Sequence, residues 1–135
     1  MSLVASPDIA SLPEKVRTAI TQAPVQLNIF KMMANDETCF IPMTRLGGTI
    51  LSRQKLDAKL RELAILLVAK IEGGEYEWIQ HVPIAIERNL IGSPCFSDVE
   101  RAALRFTEEL VNRVRADEAT VRELMSPCHP VKLSS

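Results

Sequence analysis

Glu62, Glu77 and His81 are the residues of this chain whose types and spacing suit proton transfer. Glu77 and His81 stand four apart, so on a helix their side chains are neighbours on one face. A carboxylate beside an imidazole fixes its tautomer and strengthens it as a general base. Glu62 is the candidate third member, a second acid or base. It directly precedes Leu63–Ala69, an unbroken apolar run, LAILLVA. A helix that is apolar all round is buried on every side, and an ionised carboxylate at its edge is costly without a partner. Glu62 therefore lies either at the wet end of a buried helix or in a site.

Plainer readings stand beside these. A Glu and a His at this spacing on an exposed helix form a solvated pair worth roughly a few tenths of a kcal/mol. Glu62 beside Arg61 is otherwise a charged helix face. One imidazole and two scattered carboxylates are a poor metal signature, so no metal is expected at Glu62, Glu77 and His81. Tyr76 and Trp78 read as core or interface residues before stacking platforms. His129, flanked by Pro-rich sequence, has no partner pattern.

Two helices have to position the trio. Lys55–Ile71 and Glu75–Asn89 carry it and are joined at Gly73-Gly74. In an ideal antiparallel hairpin at about 1.5 Å per residue, Glu62 is level with Ala85 and roughly 6 Å along the axis from His81. Side chains lean toward the N-terminus of their own helix, so these two lean apart and a direct bond is not expected. Pro83 denies the Ile79 carbonyl its helical partner and bends the chain just after His81.

The flanking chain is helical too. Ser11-Leu-Pro-Glu14 reads as a capped helix start running to about Gln22, and Val25–Ala34 has a mostly helical pattern. Asp36 caps a helix through Pro42 and Gly47-Gly48, where the paired glycines suggest close approach of another backbone. Ser97 to Glu100 is a capping box opening a long helix, and Asp117 caps a short last one to Met125. Residues 1–10 and 126–135 read as loose. The expectation is a single all-α domain, a bundle of about six helices.

Composition agrees. At 135 residues the chain is long enough to bury roughly two thirds of its unfolded surface. Aromatic residues make up only 4%, and a core built instead on Leu, Ile, Val and Ala suits helices better than sheets. Sixteen basic and seventeen acidic residues, interspersed, leave no footprint for nucleic acid or an anionic membrane surface. Cys39, Cys95 and Cys128 are far apart and form no CxxC, so no disulfide framework is expected. With no span-length apolar run and no leader pattern, a cytoplasmic protein is expected.

RELAILLVA, GGEYEW and HVPIA, followed by ERAALRFTEEL, resemble the carboxymuconolactone decarboxylase family, within the alkylhydroperoxidase D-like superfamily, over about residues 43–124. The resemblance implies an all-α fold, association as a trimer or hexamer, and a site lined by the two central helices. It matches Glu62 and His81 to the Glu and His of a proton relay. Gly74 and Glu77 stand where redox members carry a CxxC, so thiol-based peroxide reduction is not expected.

What remains implied is a cofactor-free decarboxylase-like activity on a small carboxylated or lactone substrate. His81 would move the proton, Glu77 orient it and Glu62 assist; Arg61 and Trp78 would contact the substrate. The alternatives are a non-catalytic oligomeric member and, behind it, redox chemistry through one of the three cysteines. The family's further C-terminal apolar helix is replaced here by SPCHPVKLSS, which is expected to leave part of the central pair uncovered.

Overall fold

The computed structural model describes residues 4–23, 25, 27–87 and 95–126. Every element among the described residues is helical, and the all-α reading holds. The chain divides between Gln54 and Lys55 into two compact units.

The first unit holds α1 (Glu14–Thr21), α2 (Asn28–Met33) and α3 (Glu37–Ser52), preceded by a single 3-10 turn at Ile9–Ser11. Leu12, Val16, Ile20, Ala34 and Phe40 form its core. The expected cap at Ser11 is not formed. Its hydroxyl donates to the Asp8 carbonyl inside the 3-10 turn, Asp8 caps that turn, and α1 begins two residues later behind Pro13. The lead-in is also less loose than expected, because Asn35 donates to the Ala5 carbonyl at 3.1 Å. Asp36 does cap α3, accepting from the Cys39 N–H at 2.9 Å. Gly47 and Gly48 do not serve a close approach. A Cβ built on either meets nothing within 4 Å, so they are simply open positions on α3.

The second unit holds α4 (Ala58–Glu72), α5 (Glu75–Glu87), α6 (Asp98–Arg113) and α7 (Glu118–Leu124). The middle helix is α4, packed against both α5 and α6, while α7 packs on α6. Asp57 caps α4 by accepting from the Lys59 and Leu60 N–H groups. The helix ends at Gly73, which adopts φ 67°, and the Gly73 and Gly74 N–H groups both fold onto the Ala69 carbonyl. Such a left-handed stop is cheap for glycine alone. Val114 ends α6 in the same conformation, φ 61°, with a β-branched side chain that is 88% exposed. Two opposite outcomes follow in urea denaturation. Gly73→Ala should destabilise by about 1–2 kcal/mol, and Val114→Gly should stabilise by about 1 kcal/mol.

The Leu63–Ala69 run is not buried on every side. Leu63, Leu66 and Ala69 are in the core, but Val68 is 38% exposed, so α4 keeps an uncovered apolar side. On α5, Trp78, Ile79 and Ile86 are exposed as well. The bareness expected of the central pair is therefore present; the tail lies outside the described residues.

Two carboxylates tie the second unit together. Glu100 completes the capping box with Ser97 and reaches Lys59 on α4 at 2.5 Å. Glu109 is buried and accepts from the Asp117 N–H at 2.7 Å and the Thr120 hydroxyl at 2.8 Å, fastening the start of α7. Asp117 therefore stands at the cap position without capping, its side chain paired with Arg113 instead. The Lys59 ammonium holds the Glu100 carboxyl below the ordinary value of 4.5, and the Asp117 N–H does the same for Glu109. Both groups bind protons less readily folded than unfolded. Their stabilisation is full above 4.5 and is lost as pH falls through the folded values. Urea midpoints should accordingly fall as pH drops below the ordinary Glu value, and Glu109→Gln should flatten that acid limb.

Candidate functional site

α4 and α5 bring Glu62 and His81 together. His81 Nδ1 lies 2.8 Å from Glu62 Oε2. A straight hairpin would have kept them apart. The joint here is the left-handed turn at Gly73, and across it the two side chains meet. Glu62 is 2% exposed and the His81 side chain 18%, so the contact is formed largely away from water. Pro83 lies inside α5, and the helix continues through it to Glu87.

Arg61 is buried beside the pair, 9% exposed. Its Nε reaches the other Glu62 oxygen, Oε1, at a long 3.5 Å. The terminal guanidinium nitrogens have no hydrogen-bond partner among the described residues. Consecutive residues on a helix point about 100° apart, which lets Arg61 and Glu62 adjoin the same buried region from two sides. Glu62 thus accepts through both oxygens, one from His81 and one from Arg61.

Glu77 is not part of this arrangement. It is exposed and makes no hydrogen bond or ion pair with any described residue, His81 included. Its Oε2 instead lies 3.5 Å from where a Cβ on Gly74 would be. The i, i+4 relation offers proximity only, and the buried Glu62 claims the imidazole because a desolvated carboxylate gains more from a donor than a hydrated one does. Trp78 is 43% exposed and lies apart from the pair, lining a groove with Lys70, Gly73 and Glu75. Among the described residues no three of His, Cys, Asp and Glu converge on a possible metal position.

The cysteines offer little to redox chemistry. Cys39 is exposed in the first turn of α3, where the hydrogen bond with the Asp36 carboxylate pushes its thiol up from 9.0. That disfavours the nucleophilic thiolate. Cys95 is exposed, and Cys128 lies outside the described residues.

Chemically, a carboxylate on Nδ1 makes that nitrogen the donor and leaves the lone pair on Nε2. Nε2 is then the atom able to take a proton. With only two histidines in the chain, ¹⁵N NMR resolves the question directly. His81 is expected to show a protonated Nδ1 and a bare Nε2 when neutral, and Glu62→Gln, whose amide can donate to Nδ1, should raise the share of the opposite tautomer.

The model of the carboxymuconolactone decarboxylase family matches residues 41–109, a stretch that contains Arg61, Glu62, Glu77, Trp78 and His81. No curated protein and no solved structure gives a significant match.

Proposed function

Starting from the fact that this chain belongs to the carboxymuconolactone decarboxylase family, we propose that it is a cofactor-free acid–base lyase or isomerase for a small carboxylated or lactone substrate. In this reading it acts in the cytoplasm as a homo-oligomer. The observation that carries the proposal is the 2.8 Å contact between His81 Nδ1 and the buried Glu62.

His81 Nε2 takes the proton from carbon next to the substrate carbonyl, and the electron pair of that C–H bond moves into the carbonyl to give an enolate. Returned at another carbon, the same proton completes an isomerisation. In a decarboxylation the C–CO₂ bond breaks instead, its electrons forming the enolate, and His81, having taken a proton from solvent water on Nε2, supplies the proton that quenches it. Glu62 fixes the imidazole and stabilises its cationic form without itself moving a proton. The uncommitted guanidinium nitrogens of Arg61 suit a substrate carboxylate, which an Arg fork binds through two parallel bonds. Glu77 and Trp78 have no role in these steps.

Incubation with a panel of small lactone acids in D₂O, followed by proton NMR, tests the reading. Loss of CO₂ or exchange of the proton next to the carbonyl supports it, and inertness across the panel counts against it. One observation favours a non-catalytic family member: four well-formed grooves of about 210–480 Å³ are lined by other residues than His81. Under that reading His81 is replaceable with no consequence beyond stability.

A further inference from the structure

The attachment of α7 to α6 is polar where a helix contact is ordinarily apolar. Its one buried residue is Thr120, with Val121 and Leu124 half-buried. The docking concentrates on the buried Glu109 carboxylate, which accepts through one oxygen from the Asp117 N–H and through the other from the Thr120 hydroxyl three residues later. Arg105, Glu108 and Arg113 surround it on α6, and Asp117 and Glu123 are held there from the α7 side. Arg113 bridges Glu109 at 3.4 Å and Asp117 at 3.1 Å, and Arg105 reaches Glu123 at 2.6 Å. The helix α4, also packed on α6, supplies no ion-pair partner to Glu109 among the described residues. Exposed arginine pairs of this kind contribute little in water. Closure therefore depends on one desolvated carboxylate and its two hydrogen bonds.

The joint between the helices, residues 114–117, is strained. Val114 alone among the described residues other than glycine has a positive φ, and its side chain is exposed, so no packing offsets the cost of that backbone. Such strain persists only while the surroundings hold it, and it collects at clamps and switches. Here the Val114 N–H bond to the Leu110 carbonyl holds it from behind and the Glu109 attachment from ahead. We propose that α7 is a hinged strap, leaving α6 as a unit about Val114 while α4, α5 and α6 stay folded, and that Glu109 is its latch, released by a proton. Once protonated, the carboxyl is a poorer acceptor for two donors and no longer attracts Arg113. The Asp117 N–H holds this carboxyl below the ordinary 4.5, so the strap is closed above that value and opens as pH falls through the lower one. Opening also frees Arg105 and Arg113 from their α7 partners. Neither Glu62 nor His81 takes part, so the inference does not depend on the lyase reading.

Amide hydrogen exchange of the full chain, read on peptides from α7 and from α4 and corrected for intrinsic rates, tests the strap. In the wild type α7 should be protected at least tenfold less than α4, and its exchange should respond less to dilute urea, because a local opening exposes little surface. Variants then separate local from global opening. Gly73→Ala weakens a turn that stays intact when the strap opens, so it should lower the protection of α4 about five- to thirtyfold and leave that of α7 unchanged. Thr120→Val and Glu109→Gln remove contacts broken by the opening and should lower α7 protection roughly three- to tenfold and about tenfold or more. Val114→Gly, which relaxes the hinge in its closed form, should raise it about fivefold. Acidification should lower α7 protection in the wild type, and Glu109→Gln should lose most of that response. The proposal is overturned if α7 and α4 share one protection and one urea dependence, or if Gly73→Ala lowers both alike. It is overturned equally if Val114→Gly leaves α7 unchanged or if Glu109→Gln keeps the acid response.

Discussion

His81→Asn is expected to lower turnover of any substrate identified from the lactone panel by about 10²–10⁴-fold, the usual contribution of a positioned general acid or base. The fold should survive it. Among the described residues the only side-chain hydrogen bond of His81 runs from Nδ1 to Glu62, and the Asn amide N–H can occupy nearly the same position, so the buried carboxylate keeps a donor. What is lost is Nε2, the lone pair that takes the proton. Circular dichroism should be unchanged and the urea midpoint should move by no more than a modest surface substitution does, roughly 0.5 kcal/mol. Glu62→Gln removes the same function by another route, through the tautomer, and should fall within the same range. Wild-type turnover in His81→Asn would end the proposal outright. A loss confined to KM would reassign His81 to binding.

The helical class and most helix ends were legible in the sequence because they depend on local chemistry. Asp36 and Ser97 cap α3 and α6 through bonds three residues away, and Gly73 ends α4 by its own backbone freedom. Ser11 misled because Asp8, also within three residues, satisfies the turn first, and a capping pattern does not say which of two competing acceptors wins. The candidate pair was half legible. Glu62 and His81 were identifiable as residue types in an apolar setting and through the resemblance, but not as a bonded pair. Whether two side chains 19 positions apart touch depends on how the chain leaves the turn at Gly73, and the spacing of apolar residues carries no record of that angle. Glu77 shows the converse: its spacing to His81 was legible, while its exposure, which decides whether a carboxylate needs that partner, goes with the open groove beside Gly74. The clamp formed by Glu109 on Asp117 and Thr120 gave no signal at all, since a Glu on a long charged helix looks like solvated surface until α7 folds back against it.

Glu62→Leu is expected to cost about 3–5 kcal/mol, the penalty for removing one partner of a buried ionic contact. The apolar gain at this position is small beside it. Leucine would extend the Leu63–Ala69 run by one residue, yet it takes from the largely buried Arg61 side chain and from the His81 Nδ1–H the one acceptor that each has among the described residues. For a chain of this length the melting temperature should fall by roughly 10 °C or more. Arg61→Leu/Glu62→Leu removes the stranded cation together with the acid, so the double variant should be more stable than Glu62→Leu alone. That rescue is a coupling, read from a double-mutant cycle in urea. A Glu62→Leu cost below about 1 kcal/mol would mean that the carboxylate is not desolvated and that the imidazole is not held as described. Should the double variant exceed even the wild type, as replacing buried ionic contacts by apolar groups often does, then Arg61 and Glu62 weaken the fold that contains them. Packing would then leave the two charges unexplained, and the proton chemistry proposed at His81 Nε2 would give them a use.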